Sequence, residues 1–471
     1  MQTNILNNDT ICAIATPHGM GAIATVRVSG AKAFPIVASL FQHRGKFLEI
    51  SKIVSHKAYH GHLINKGELL DEVLVTFFKA PHSFTGEDSA EISVHGSVFV
   101  QQKLLQVLIA NGCRMAEAGE FTRRAFVNGK FDLAQAEAIA DLISSESEAA
   151  HRVAINQLRG GFSKELQVLR SKLLEMTSLM ELELDFSEED VEFADRSQLK
   201  ALLQEALDKV NRLKDSFRLG NAIKNGVPVA IVGQTNTGKS TLLNALLGED
   251  RAIVSDIAGT TRDTIEETLN VNGILFRFID TAGLRETEET IEKIGIERSY
   301  RKIAEATVVI GMLDATKDAE NLLLATHEIL ERIDLEHQQL ILCINKVDTL
   351  DDQGEALLGQ LRADLDNDEI MVICLSAKHK FGLNDLYNTL KHSQPLSYPD
   401  ATLVTNVRHY EALLHASESL SQVQQGLEMN IPTDLVSQDL REAIHYLGTI
   451  TGEITTDEVL GSIFSRFCIG K

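Results

Sequence analysis

The residues best suited to chemistry stand in one short stretch, Gly233-Gln234-Thr235-Asn236-Thr237-Gly238-Lys239-Ser240, between the apolar run VPVAIVG and the helical pattern TLLNALLG. Glycines at these spacings let successive backbone N–H groups close around a phosphate, and a helix starting there adds the positive end of its dipole. Lys239 would neutralise β- and γ-phosphate oxygens, and the Ser240 hydroxyl would bind Mg²⁺. With Asn236, Thr237, Gly238 and Thr241 they make a phosphate cradle.

Three further groups follow in order. Ser255-Asp256-Ile257-Ala258-Gly259-Thr260-Thr261 carries a threonine, Thr261, able to supply the second magnesium ligand and to sense the γ-phosphate. Asp280-Thr281-Ala282-Gly283 comes directly after the strand-like FRFI and offers a carboxylate to the metal shell and a backbone N–H to the γ-phosphate. Asn345-Lys346-Val347-Asp348 closes the run LILCI, where Asp348 can accept both the N1–H and N2–H of guanine, a pairing adenine cannot return. Ser376-Ala377-Lys378, after MVICL, would present backbone N–H groups to the guanine O6. The ordered set implies binding and hydrolysis of GTP.

The hydrolytic machinery departs from the Ras pattern. Leu284 follows Gly283, where Ras-like enzymes carry the glutamine that orients the attacking water. An apolar side chain cannot do that, so either a partner completes the site or another polar residue acts; Glu286, Glu288, Glu289 and Glu292 are the local candidates.

These motifs need a scaffold, and the chain has three textures. Residues 1–120 read as mixed α/β, with short strand-like runs ICAIAT, GAIATVRVSG, DEVLVTFF and SAEISVHG. From Asp132 to about Leu219 the pattern is helical, with Leu133, Ala136, Ala140 and Ile143 predicted on one face; residues 406–447 resume it. Between them, strand runs VPVAIVG, LFRFIDT, ATVVIGML, QLILCINK and IMVICLSA alternate with helical stretches, the sign of a parallel sheet with crossover helices. The expected fold is multidomain α/β: an N-terminal α+β domain (1–120), a helical domain in two parts (121–222 and 392–471) and an inserted Ras-like P-loop domain (223–391).

With 45 Lys and Arg against 67 Asp and Glu, the net charge is −22, which argues against broad binding to nucleic acid or anionic membranes. Arg123, Arg124 and Lys130 could form a local basic patch or an internally paired surface. Five scattered cysteines without CxxC spacing make a disulfide framework or zinc site unexpected; Cys343 and Cys374 lie in strand-like runs and read as buried small hydrophobes. The longest apolar runs are far too short to cross a bilayer, and the N-terminus lacks a signal-like pattern, so a cytoplasmic protein without a membrane anchor is expected.

The terminal Phe467-Cys468-Ile469-Gly470-Lys471, the segment ATPHGMGAIATVRVSG, and the stretches FTGEDSAEISVHG and AGEFTRRAFVNGKFDLAQAEAIADLI closely resemble the MnmE (TrmE) family of tRNA-modification GTPases, from Asp9 to Lys471. The resemblance implies a homodimer working with an FAD-dependent partner, MnmG (GidA), to add an aminomethyl or carboxymethylaminomethyl group to C5 of the wobble uridine of certain tRNAs. A 5-formyl- or methylene-tetrahydrofolate on the N-terminal, folate-binding-like and dimerising domain would supply the carbon. Carried over residue by residue, folate contacts fall on Arg27, Glu91, Lys130 and Lys471. A potassium ion in place of an arginine finger falls on Asn236, Ser255, Ile257 and Thr260, and the water-orienting carboxylate on Glu292. Thr235 stands where the family commonly has proline, and Ser255 where threonine is usual. Cys468 is a candidate for the modification chemistry, with Lys471 beside it to lower its thiol pKa. The competing class, a GTP-switch ribosome-assembly factor, shares the GTPase motifs but has no use for the FCIGK tail.

Overall fold

Strict alternation of apolar and polar residues builds the first sheet. In the strand Ile23–Ser29, Ala24, Val26 and Val28 are buried while Thr25 and Arg27 point to the other face. The computed structural model describes residues 9–185, 196–250, 267–271, 273–279, 304, 306–335, 338–350, 370–392, 402–429, 431–465, 467 and 469–470. By Cα proximity the chain divides into two compact units: Met1–Ile143 with Ile155–Asp208 and Ala412–Lys471, and Ser144–Ala154 with Lys209–Glu411.

The first unit opens with β1 (Thr10–Ile14), β2 (Ile23–Ser29), α1 (Ala33–Leu40), β3 (Phe41–His43), β4 (Lys46–Phe47), β5 (Ala58–Asn65), β6 (Glu68–Phe78), β7 (Ser89–His95), α2 (Val98–Ala110), β8 (Cys113–Met115) and α3 (Glu120–Val127). The strands form one sheet in the order β4-β3-β5-β6-β7-β2-β1-β8, antiparallel except where β1 runs parallel to β8. Val26, Val28, Val75, Phe77 and Ile92 line one face and pack with Phe34, Val37, Leu104 and Leu108 of α1 and α2. On the opposite face a smaller cluster of Ile11, Ala13, Ala116 and Phe121, with Phe84, packs at the β1 side. Arg27 and Glu91 lie directly across from each other on β2 and β7, and Ala13 pairs with Arg27 on the other side.

Helices follow: α4 (Leu133–Ser144), α5 (Glu148–Leu158), α6 (Gly161–Asp185), α7 (Arg196–Asp215) and α8 (Phe217–Asn225). The stripe expected on α4 is buried only at its start, at Leu133 and Ala136; Ile143 is 47% exposed, because the helix ends one residue later and leaves the core.

The second unit carries β9 (Val227–Val232), α9 (Lys239–Asp250), β10 (Glu267–Val271), β11 (Ile274–Phe278), β12 (Val308–Asp314), α10 (Ala319–Leu330), β13 (Gln339–Asn345), β14 (Met371–Cys374) and α11 (Leu383–His392). Sheet order is β10-β11-β9-β12-β13-β14, parallel except for the edge pair β10–β11. All five strand runs expected here are strands. β10 (ETLNV) is an addition, too short and polar to stand out in the sequence. Cys343 is fully buried, as expected, whereas Cys374, on the strand β14 next to it, is half-buried. The chain continues with α12 (Val407–Glu428), α13 (Thr433–Thr451) and α14 (Asp457–Phe464). α13 packs along α6, and α14 against α3, both within the first unit.

The expected positions Ser255, Asp256, Ile257, Ala258, Gly259, Thr260, Thr261, Asp280, Thr281, Ala282, Gly283, Leu284, Glu286, Glu288, Glu289, Glu292, Cys468 and Lys471 lie outside the described residues.

Candidate functional site: a nucleotide cradle and a sheet-face ion pair

In the second unit, strand β9 runs into the loop 233–238 and out into α9, so the first turn of α9 ends at the loop. Asn236 takes a left-handed backbone at φ 63° and Gly238 one at φ 98°. Gly238 has a second constraint: a Cβ there would strike the side-chain amide of Asn345. Lys239 Nζ donates to the carbonyls of Gly233 (2.9 Å) and Gln234 (2.8 Å), curling over the loop. Its burial draws the ammonium pKa below the ordinary lysine value. Thr237 is buried and its hydroxyl donates to the Gln234 carbonyl at 2.9 Å. Ser240 and Thr241 sit exposed on the first turn of α9.

The base-side motifs meet this loop through one residue. Asn345, 3% exposed, donates Nδ2 to the Thr237 carbonyl (2.8 Å) and accepts the Ala377 N–H on Oδ1 (2.9 Å). It therefore ties the phosphate loop to the turn 376–382. Ser376 and Phe381 exchange backbone hydrogen bonds across that turn. With the Ser376 and Ala377 amides taken, Lys378 has the one amide of the three without an intramolecular acceptor among the described residues. Asp348 lies 3.5 Å from His379. The Ser376 hydroxyl first, then the charges of His379 and Lys378, hold its carboxyl below the usual carboxylate range. A carboxylate kept ionised is what a double N–H donor needs.

Sequence reasoning assigned Asn345 to the motif but missed that it spans two loops, since its partners are 108 and 32 residues away. It also passed over Asp314, at the end of β12, which pairs with Lys346 at 2.6 Å.

In the first unit Arg27 and Glu91, two of the residues read as folate contacts, are paired, and Lys130 reaches a loop beside them. Arg27 Nε and Nη2 both donate to Glu91 Oε1 (3.0 and 2.8 Å), and the guanidinium lies 4.9 Å from the Phe84 ring centre and 5.6 Å from that of Phe121. Their side chains remain 18% and 33% exposed. Lys130 Nζ donates to the Pro81 carbonyl (3.0 Å) and Asn128 Nδ2 to that of Thr85 (2.7 Å), so Lys130 grips the same 81–88 loop that supplies Phe84. The chain's last described residues arrive here too. Ile469 forms an antiparallel bridge with Ala118, and Gly470, at φ 97°, lies so close to the Ile14 carbonyl that no Cβ would fit.

The basic trio does not form a patch. Arg124 is 4% exposed and paired with Asp9 (2.9 Å), Glu87 (3.2 Å) and Glu120 (2.9 Å); Arg123 pairs with Glu117 (3.4 Å). Arg114 joins through Asp9 (2.6 Å) and Glu120 (2.7 Å). Burial alone would raise the Glu120 pKa, but hydrogen bonds from Arg114, the Glu117 backbone and Arg124 outweigh it and hold the carboxyl low. Three carboxylates around a buried guanidinium satisfy its fork within the protein, and Ser29, donating to Glu87 at 2.8 Å, ties the network to β2.

Two families match this chain: that described as the MnmE helical domain over residues 133–468, and that described as the GTP-binding protein TrmE N-terminus over residues 10–130. The chain belongs to the MnmE (TrmE) family. A relative named tRNA modification GTPase MnmE, from Bacteroides fragilis, is 53% identical over 99% of this chain and 100% of its own length. Another of that name, from Flavobacterium johnsoniae, is 50% identical over 99% of this chain and 100% of its own length. Among solved structures, the FeoB G-domain from Methanococcus jannaschii is 26% identical, covering 36% of this chain and 96% of that one, with a TM-score of 0.26. As an MnmE-family member, the chain is a GTP hydrolase acting in tRNA modification. Among the described residues, no helix is long and apolar enough to cross a membrane.

Proposed function

We propose that this chain is a potassium-activated GTPase which, as a homodimer in the cytoplasm with the FAD-dependent partner MnmG, adds an aminomethyl or carboxymethylaminomethyl group to C5 of the wobble uridine of certain tRNAs. The carbon comes from a 5-formyl- or methylene-tetrahydrofolate in the first unit. Carrying the reading is the meeting of the Arg27–Glu91 pair with the chain's end, where Gly470 lies against Ile14, next to the Ala13 that pairs with Arg27. The donor set suits a folate: a carboxylate for the pterin amide edge, cations for the glutamate tail and aromatic rings beside them. Arg27 and Glu91 bind the ligand, Lys130 shapes the 81–88 loop, and Lys471 and Cys468 follow from the family.

In the second unit, Ser240 and Thr261 hold Mg²⁺, which neutralises phosphate charge when bound. Asn236 on the exposed loop tip, with oxygens of Ser255, Ile257 and Thr260, takes a potassium ion that supplies the positive charge of an arginine finger. Lys239 binds the phosphates, Asp280 and the Gly283 N–H serve the metal shell and the γ-phosphate by their motif, Asp348 and the 376–378 turn select guanine, and Glu292 orients the water that Leu284 cannot.

The test is complementation of cells lacking the gene with Cys468→Ser or Arg27→Ala chains, followed by mass spectrometry of their wobble uridines. Both variants are expected to leave the uridines unmodified while the purified chains hydrolyse GTP faster in potassium than in sodium. Full modification by both would overturn the folate-side assignment. Equal GTPase rates in the two salts would overturn the potassium site.

A further inference from the structure

Strands β12 and β13 end side by side, and Asp314 stands directly across from Asn345. The Asp314 carboxylate is fixed through both oxygens. Oδ1 accepts from the backbone N–H (3.1 Å) and hydroxyl (2.8 Å) of Thr316, and Oδ2 from Lys346 Nζ at 2.6 Å. This is a short, charge-assisted bond on a side chain only 12% exposed. At its other end Lys346 is held by a left-handed backbone, φ 68°, where β13 stops. A lysine pinned at Cα and at Nζ has little freedom left in the four methylenes between, and here they lie beside Asn345 and two residues before Asp348.

We infer that Asp314 is a positioning residue for the guanine base: by anchoring the Lys346 ammonium it holds the lysine's methylene stem as an apolar wall on which the flat face of the purine packs. The inference rests on the reading of Asn345 to Asp348 as the base site. It divides the labour there. Asp348 reads the edge of the base and sets which base is accepted, while the Asp314–Lys346 pair reads the face and sets how tightly any base with that edge is held.

The test uses the full chain with a fluorescent GDP analogue, displaced by GDP and by IDP, which lacks the 2-amino group. Asp314→Asn keeps the size and the Thr316 bonds but loses the charge that holds Lys346. It is expected to raise Kd for both nucleotides by about tenfold, the worth of one charge-assisted hydrogen bond, leaving the GDP-to-IDP ratio intact. KM for GTP should rise by the same factor while kcat at saturation holds. In a Lys346→Met chain, which keeps an apolar stem without an ammonium, Asp314→Asn should add nothing. Unchanged affinity in Asp314→Asn would overturn the inference. So would a loss that persists in the Lys346→Met chain, whether or not its melting temperature falls, because the carboxylate would then act on the fold and not through Lys346. A wild-type chain that binds neither GDP nor IDP would instead refute the guanine site itself.

Discussion

The two units build their sites in opposite ways. In the second unit the proposed nucleotide contacts among the described residues come from short runs of adjacent residues after β9, β13 and β14, and the parallel sheet brings those strand ends to one edge. In the first unit no run suffices: Arg27, Glu91, the 81–88 loop, Lys130 and the 469–470 tail come from separate parts of the chain and meet only because β2, β7, α3 and the tail pack together. A site made of contiguous motifs tolerates change in the surrounding core so long as its loops keep their shape. A site assembled from distant pieces depends on whatever clamps those pieces together.

That contrast can be broken most directly at Lys239. Lys239→Ala is expected to lower kcat/KM for GTP by about 100-fold or more, the usual loss when a preorganised cation is removed from a charged transition state. Unfolding of the first unit and its affinity for 5-formyl-tetrahydrofolate should stay unchanged. A folate affinity that fell in parallel would show that the two sites are not separately built.

The clamp can be tested without touching any ligand contact. Glu120→Gln removes a 2% exposed carboxylate from between Arg114 and Arg124, and should cost about 3 kcal/mol of stability. Because the native carboxyl is held below its ordinary pKa of 4.5, its contribution is complete above that pH and is lost as pH falls through the folded value. Denaturant titrations at pH 7 and at pH 3 should show the wild-type advantage shrinking in acid. Folate affinity should weaken in Glu120→Gln while GTP affinity holds. An equal loss at both pH values would contradict the network's role.

The smallest effect concerns the Lys239 proton. Burial lowers the pKa of the empty-site ammonium, and bound phosphate would restore it, so nucleotide binding takes up a proton between those two values. Affinity should be full below the empty-site pKa and fall as pH rises through the bound-state value, by at most about tenfold per pH unit. Calorimetry of GDP binding at alkaline pH in two buffers of different ionisation enthalpy should reveal the uptake. Identical heats in both would refute it.

The same contrast explains what the sequence could tell. The nucleotide loop, its flanking strand and helix, and the five parallel strands were legible because each is specified locally, by glycines, by apolar runs and by a helix start. Asn345 as a strut between two loops was not, since nothing near it in the chain reveals Thr237 or Ala377. β5 was passed over because AYHGHLIN alternates with histidines and a glycine in place of the usual β-branched residues. Arg124 read equally well as surface charge or as an internally paired residue, and only packing against Asp9, Glu87 and Glu120 settles which. Ile143 looked like core because periodicity does not record where a helix leaves the body it packs on.

The first unit's sheet also has a schedule. Ile469 bridges Ala118 outside its strands and Gly470 lies against the Ile14 carbonyl, yet residues 209–411 of the other unit lie between those partners in the chain. On a translating ribosome adding roughly 5–20 residues per second, the second unit has on the order of ten to forty seconds to emerge and fold before these tail contacts of the first unit can form. Until then Ala118 and Ile14 lack the tail that packs on them, and the first unit is finished only after the second.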